Sequence, residues 1–210
     1  RARACREDPL DFCVPVNRHF PPASLLEDIQ AALPRILKFY PDYAGVHQAA
    51  LSRLVDVPAE NIVVANGSTE LITLLCRACA GPIVTSVPTF GRWTDLPMEF
   101  GKSLGFIERR EERQFRLDVD EIVAHVRRLK ARTLVLSNPN NPTGAIMQAH
   151  ELHVLLRELR ELSMIVLDES FIDFSDVASC AGFAVAAHNV VVVKSLGKSL
   201  GWHGVRLGYA

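Results

Sequence analysis

A lysine and an arginine near residue 200 combine two kinds of chemistry. Lys198 follows the apolar run 190–193 within a glycine-rich segment, and Arg206 lies eight residues later. A crowded amine loses part of its preference for the charged form, and the neutral amine can form a Schiff base with a carbonyl. Arginine, always charged and forked, suits a phosphate. The pair predicts a site for a phosphate ester that carries an aldehyde, of which pyridoxal phosphate is the obvious case.

Two further polar segments follow predicted strands. The segment 66–70, NGSTE, lies between a predicted strand and a predicted helix, where free backbone N–H groups and the helix dipole favour a phosphate. An ordinary N-cap is the alternative interpretation of this segment. The segment 138–144, NPNNPTG, forms a rigid loop through its prolines and glycine, and such a loop can aim Asn141 at a ligand.

Asp168 ends the predicted strand 164–168, so it lies at the edge where ligands bind open α/β sheets. Its carboxylate could hold a protonated pyridine nitrogen, cap a turn or bind a metal ion. Asn141 and Lys198 in the same pattern favour the partner of the pyridine nitrogen, and no metal site is predicted. The adjacent Glu169 points the other way and is interpreted as structural.

The elements that position these residues alternate along the chain. From residue 60 onward, short β-branched runs and helical patterns follow one another, which is typical of a mostly parallel sheet covered by helices on both faces. Predicted strands span residues 61–65, 82–87, 103–108, 133–137, 164–168 and 190–194. Predicted helices span residues 24–33, 46–54, 68–79, 118–129 and 148–162. Prolines break residues 1–44 into an extended arm with short helices, and residues 45–210 form the large α/β domain.

Composition excludes several classes of function. A net charge of -1 over 210 residues gives no electrostatic footprint for nucleic acid or an anionic membrane. No apolar run approaches the roughly 20 residues of a membrane span. Five cysteines without a disulfide-scaffold spacing favour a reducing compartment, here the cytoplasm. Cys76 and Cys79 form a CxxC, for which two small core residues are preferred over a redox pair or half of a zinc site.

The motifs together resemble one family. Ser195-x-x-Lys198, then Gly204-x-Arg206-x-Gly208, is similar to the cofactor-lysine signature of the class I/II (fold type I) aminotransferases, and the segment 138–144 strengthens the likeness. The histidinol-phosphate aminotransferase and threonine-phosphate decarboxylase branch is the most similar. The resemblance implies the fold type I large domain with an N-terminal arm, and a smaller C-terminal domain beyond residue 210, so a fragment is expected. It also implies a homodimer with shared active sites, an amino donor and a 2-oxo acid acceptor.

The resemblance assigns a role to each matching residue. Lys198 would bind the aldehyde of pyridoxal phosphate and later act as the general base, while Asp168 would hold the pyridine nitrogen protonated. Asn141 would donate to the ring phenolate oxygen. The cofactor phosphate would be held by a turn, two hydroxyl-bearing segments and the arginine, namely Gly67, Ser68, Thr69, Ser195 and Arg206.

Three residues have roles that rest on weaker signals. Phe90 would stack on the pyridine face, with a core phenylalanine as an equal alternative. Tyr40 would reach the cofactor phosphate of the neighbouring subunit, because the segment 39–42 resembles the Tyr-Pro segment of the family. Asn17 would contact substrate from the arm.

The chain departs from the family pattern at four positions. Phe171 replaces a tyrosine that often bonds the ring oxygen, and Gly197 replaces a common Ser or Thr before the lysine. Trp202 and His203 are bulkier than the usual residues and are expected to reshape the pocket. These departures leave the substrate open.

Three functions remain as alternatives at this point. Transamination of an amino acid or an amino-alcohol phosphate through a Lys198 Schiff base is preferred. The first alternative is α-decarboxylation of a phosphorylated amino acid, and the segment 10–12 supports the branch of the family that acts on phosphorylated substrates. The second alternative is a non-catalytic protein with the same fold. A P-loop ending at 197–199 is disfavoured because Val192 stands where the motif needs glycine.

Overall fold

Seven strands form one sheet at the centre of the computed structural model, which describes residues 14–41 and 44–210. The strands are β1 (Val64–Asn66), β2 (Ile83–Val87), β3 (Leu104–Glu108), β4 (Thr133–Ser137), β5 (Met164–Asp168), β6 (Val190–Ser195) and β7 (Leu207–Tyr209). Their order across the sheet is β1-β7-β6-β5-β4-β2-β3. Neighbours from β6 to β3 are parallel, whereas β7 is antiparallel to both β1 and β6. The mostly parallel sheet predicted from the sequence is confirmed.

Helices cover the sheet and lead into its edge. The α-helices are α1 (Ala23–Lys38), α2 (Ala44–Val55), α3 (Ser68–Ala78), α4 (Arg92–Glu99), α5 (Val119–Arg128), α6 (Ala149–Glu158), α7 (Ala181–Ala186) and α8 (Leu196–Ser199). Short 3₁₀ turns occupy Ala59–Asn61, Glu111–Arg113 and Ile172–Phe174. Within the described residues, no helix is both long enough and apolar enough to cross a membrane.

The two faces of the central strands fill two separate cores. Leu134 and Leu136 of β4 pack in the cluster that contains α5 and α6, whereas Val135 between them packs in the cluster that contains α3 and α4. Ile165 and Val166 of β5 divide in the same way. Since successive side chains of a strand point to opposite faces, these apolar runs bury both faces, as parallel sheets require.

The predicted strands agree with the structure to within a few residues, but four elements were not predicted. Both β7 and α8 are very short, α7 is half alanine, and α4 contains Pro97. The prediction that the first helix ends at residue 33 was wrong, because α1 continues through Pro34 to Lys38. The prediction for 148–162 was too long, since α6 ends at Glu158.

The cysteines of the CxxC lie in the core, as predicted. Cys76 and Cys79 are buried free thiols in the cluster of α3 and α4. Burial raises the pKa of the Cys76 thiol to about 12, which makes it a poor nucleophile. Cys5, Cys13, the segment 10–12 and residues 42–43 lie outside the described residues. The domain boundary at residue 44 and the cytoplasmic location stay predictions.

The strand directions bring four chain segments to one edge. Ser137 and Asp168 end adjacent parallel strands in register, and β6 continues the same alignment to Ser195. Because β7 is antiparallel to both neighbours, β1 runs in the same direction as β6, and Asn66 ends at this edge too. The turns after β1, β4, β5 and β6 therefore converge.

Candidate active site

A cleft opens at this carboxyl edge of the sheet. Its walls come from the converging turns and from the segment after β2. They are formed by Ser68, Thr69, Phe90, Ser137, Pro139, Asn141, Asp168, Ser170, Phe171, Ser195, Lys198, His203 and Arg206. Most of the residues predicted for cofactor binding therefore lie around one cavity.

Asp168 is the most firmly held group in the cleft. Its side chain is buried, and both carboxylate oxygens accept hydrogen bonds. The indole Nε1 of Trp93 donates to Oδ2 at 2.7 Å, and the backbone N–H of Ser170 donates to Oδ1 at 3.0 Å. Two donors on different oxygens fix the orientation of the carboxylate.

Trp93 is the functional residue that the sequence analysis missed. It lies on α4, is fully buried, and places its only polar atom against Asp168. One signal was available, because a buried indole N–H needs an acceptor and Asp168 was expected at the edge of the sheet. Pro97 concealed the helix that carries it.

Lys198 lies in the single-turn helix α8, not in a turn as its glycine-rich surroundings suggested. Its Nζ is 5.3 Å from the centre of the Phe171 ring. Burial lowers the pKa of Lys198 below its usual value of 10.5; the Asp168 carboxylate opposes this shift and the Arg206 guanidinium adds to it. A larger fraction of the amine is therefore neutral at a given pH than in an ordinary lysine, as a nucleophile requires.

Gly67 and Arg206 meet at the far end of the cleft. Gly67 has φ +82°, a conformation that favours glycine, and it precedes the first turn of α3. A Cβ added there would lie 2.5 Å from Nη2 of Arg206, so a side chain at this position would displace the guanidinium. Ser68 and Thr69 begin α3 and line the cleft. Free N–H groups, hydroxyls and a guanidinium are the chemistry that holds a phosphate.

Glycine at position 208 allows β7 to approach this turn. A Cβ on Gly208 would lie 2.5 Å from the backbone nitrogen of Ser68, and backbone cannot move aside as a side chain can. Gly208 also pairs with Ser195, which is buried at the end of β6 and lines the cleft. The Gly-x-Arg-x-Gly pattern thus places an arginine and a close backbone contact at the start of α3.

The three asparagines of the segment 138–144 have different tasks. Asn138 exchanges two hydrogen bonds with the backbone of Met147, at 3.1 Å and 2.7 Å. Asn140 donates from Nδ2 to the carbonyl of Pro88 at 3.1 Å. Both are buried and hold the loop, whereas Asn141 lines the cleft.

One buried hydroxyl of the cleft has no hydrogen-bond partner among the described residues. Ser137 Oγ is buried and makes no hydrogen bond to any described residue, although it ends β4 beside Asp168. An unpaired buried hydroxyl is unfavourable unless a ligand satisfies it. The cleft therefore offers an amine, an oriented carboxylate, an amide, a phosphate end and an unpaired hydroxyl, a set that fits pyridoxal phosphate.

Two predicted site residues and one predicted structural residue lie elsewhere. Tyr40 is 99% exposed and lies outside the walls of the cleft. Asn17 also lies outside, and its side-chain Nδ2 donates to the carbonyl of Ser199 at 2.9 Å. Glu169 is buried and accepts a 2.8 Å hydrogen bond from the backbone of Cys180, in agreement with its structural interpretation.

A model of the family described as aminotransferase class I and II matches residues 7–210. The chain belongs to this family. Class I and II aminotransferases depend on pyridoxal phosphate, so the cofactor predicted from the sequence is confirmed, together with the family and the fold class.

Individual relatives of this aminotransferase-family chain include enzymes of two reaction types. It is 32% identical over 186 residues to an L-serine phosphate decarboxylase from Sulfurospirillum multivorans, over 85% of this chain and 47% of that protein. It is 33% identical over 162 residues to a histidinol-phosphate aminotransferase from Francisella philomiragia, over 75% of this chain and 45% of that protein. The chain spans about half the length of the curated relatives it matches.

A solved structure shares the fold. The histidinol-phosphate aminotransferase from Sinorhizobium meliloti, in complex with pyridoxal-5'-phosphate, superimposes with a TM-score of 0.82 at 25% identity. The alignment covers 93% of this chain and 54% of that one. The large-domain architecture is therefore common to both proteins.

Replacing Trp93 by Phe removes the donor to Asp168 Oδ2 and keeps an aromatic ring in the core. We expect the free energy of unfolding to fall by about 1–3 kcal/mol, because a buried carboxylate oxygen loses its hydrogen bond. Denaturant-induced unfolding measures the change.

The same replacement in an Asp168→Ala background is the control. There the indole N–H has already lost its acceptor, so Trp93→Phe should cost less than in the unmodified chain. An equal cost in both backgrounds would show that the hydrogen bond does not contribute.

Proposed function

We propose that this protein transfers the amino group of a phosphorylated amino compound to a 2-oxo acid, with pyridoxal phosphate as cofactor. The observation that carries the proposal is that Lys198 and Asp168 lie in one cleft. Burial lowers the pKa of Lys198, and two hydrogen bonds hold the carboxylate of Asp168. A non-catalytic protein would have no use for both. Phosphorylated substrates are proposed because the relatives include a serine phosphate decarboxylase and a histidinol-phosphate aminotransferase.

Each residue of the cleft has a physical task in this reaction. When bound, the cofactor supplies an electron sink for the substrate α-carbon. Asp168, held by Trp93 and Ser170, presents a fixed acceptor to a ring N–H. Arg206 and the start of α3 bind the phosphate and so set the angle of the ring. The amine of Lys198 would act as the general base that accepts the α-proton of the substrate and later gives it up.

Phe171 shapes the space around the lysine. Its ring faces the Lys198 amine and carries no hydroxyl, so it contributes an apolar wall where a tyrosine would add a donor. Asn141 is then the side-chain amide available to the ring oxygen, and an apolar wall helps to exclude water from the proton transfer.

Borohydride reduction of the protein with pyridoxal phosphate should attach the cofactor to Lys198. We expect a visible absorption band that reduction removes, and Lys198→Met should abolish attachment. Because the pKa of Lys198 lies below 10.5, the neutral amine is present at lower pH than in an ordinary lysine. Attachment should therefore persist to lower pH than with Nα-acetyl-lysine, whose ε-amine is the only amine it has, and peptide mass mapping after reduction will measure it.

Lys194 provides the matched control for this labelling. It lies on β6, four residues before Lys198, and its ammonium is paired with Asp173. Lys194→Met should leave attachment intact. Label distributed over several lysines in the unmodified protein would contradict the assignment of Lys198.

Decarboxylation is the second candidate, favoured by the 32% identity to the L-serine phosphate decarboxylase. The two reactions differ in which bond to the α-carbon stands perpendicular to the ring. Contacts to the substrate carboxylate decide which bond this is.

A screen with histidinol phosphate, threonine phosphate and serine phosphate separates the two reactions. If the reaction is transamination, the amino donor should be consumed only when a 2-oxo acid is added. The 2-oxo acid should then be converted to an amino acid. Release of carbon dioxide without any 2-oxo acid would replace transamination by decarboxylation.

We further propose a homodimer in which Tyr40 reaches the cofactor phosphate of the neighbouring subunit. No residue of α1 is buried, yet one face of this helix is apolar. Leu37 is 78% exposed and Tyr40 99% exposed, next to Ile36 and Phe39. A second copy of the chain would cover this face.

A charge on the apolar face of α1 tests the dimer. Leu37→Glu should shift the protein from dimer to monomer in sedimentation velocity, because a carboxylate resists burial. Ala31→Glu places the same charge on the opposite face and should leave the dimer intact. In the dimer, Tyr40→Phe should weaken binding of pyridoxal phosphate; a monomeric unmodified protein would refute the proposal.

A further inference from the structure

The loop that carries Lys198 is held by a segment far away in sequence. We call residues 15–20 the arm segment and residues 196–203 the lysine loop. The backbone N–H of Asn17 donates to the carbonyl of Lys198 at 2.9 Å, and its side-chain Nδ2 donates to the carbonyl of Ser199 at 2.9 Å. A one-turn helix leaves its last carbonyls without partners. Asn17 therefore caps the carboxyl end of α8.

The amide of Asn17 is fixed on both sides. Its Oδ1 accepts a 2.9 Å hydrogen bond from the backbone N–H of His19, while Nδ2 serves Ser199. This arrangement orients the side chain toward the lysine loop. Since Asn17 is not among the residues that line the cleft, its contacts differ from those expected of a substrate ligand.

A glycine allows the arm segment to approach so closely. Gly201 has φ +62°, and a Cβ added there would lie 2.2 Å from the carbonyl oxygen of Phe20 and 2.5 Å from that of Asn17. Both atoms are backbone, so no side chain fits at this position without moving the arm segment. The contact is therefore a built feature of the two segments.

Two bulky residues of the lysine loop complete the contact. The ring of Trp202 lies 5.8 Å from that of Phe20, centre to centre, and Nε2 of His203 lies 3.4 Å from the carbonyl oxygen of Pro15. These residues were expected to reshape the pocket. His203 does line the cleft, but Trp202 packs on the arm segment.

We propose that Asn17 is a positioning residue for Lys198. By capping α8 it sets where the helix ends, and hence where the amine stands relative to Phe171 and Asp168. The inference rests on the proposed function only for the identity of Lys198 as the reacting amine. The capping itself concerns this chain alone.

Two variants of Asn17 separate its bonds. Asn17→Asp keeps an acceptor for the His19 N–H but loses the donor to Ser199, whereas Asn17→Ala loses both. Without cofactor, both variants should speed amide hydrogen exchange in residues 196–203 by about tenfold, the factor that corresponds to one hydrogen bond. With cofactor, kcat should fall while KM for the amino donor stays the same.

Asn189 supplies the matched control. Asn189 directly precedes β6, at the edge of the sheet opposite to the cleft. Its Nδ2 donates to the carbonyl of Leu162 at 2.9 Å. Asn189→Ala should lower global stability and leave the relative exchange of residues 196–203 unchanged.

The outcomes distinguish positioning from substrate contact. Unchanged exchange in both Asn17 variants would overturn the proposal, and so would a raised KM with an unaltered kcat. A protein that failed to bind pyridoxal phosphate would refute the proposed function instead, because the exchange measurement needs no cofactor. If Asn17→Ala failed to fold, Asn17→Asp would decide the question.

Discussion

The common direction of β1, β4, β5 and β6 is the constraint on which the cleft depends. The turns after these strands meet at their shared edge. They carry the residues expected to bind the phosphate, and they also carry Asn141, Asp168 and Lys198. Register is fixed by the polar residues that end the strands. If β5 slipped inward by one residue, Asp168 would lose the donor on Trp93, and one oxygen of a buried carboxylate would have no partner. Apolar packing and the hydrogen bonds of buried polar groups therefore favour the same strand register.

Much of this arrangement was predictable, because apolar runs and motif residues carry strong signals. The strands β4, β5 and β6 were predicted almost to the residue, and Asn141, Asp168 and Lys198 line one cleft. The features that were not predicted are short elements and contacts between residues far apart in sequence. A three-residue strand such as β7 has no periodicity, and the role of Trp93 depends on a partner 75 residues away. The contact proposed for Tyr40 is made with a second chain, and the sequence pattern of one chain carries little information about such a contact.

The cleft concentrates positive charge, at a cost in stability. Burial disfavours the charged amine of Lys198 and the Arg206 guanidinium repels it, whereas the Asp168 carboxylate opposes both effects. A lysine whose folded pKa is depressed destabilises the fold below that pKa, where the unfolded chain is charged at no cost, and this penalty disappears as pH rises past 10.5. A bound phosphate would offset the repulsion, so the site is built for an anion rather than for its own stability.

The position of β7 also sets an order of assembly. β1 pairs only with β7 within the described sheet, so β1 must wait for a strand that is made much later. About 140 residues separate them, and closing so long a loop is slow. During synthesis the central parallel strands can pack first, while the phosphate turn after β1 stays open. The binding end of the cleft is thus completed late, once Gly208 has docked against Ser68.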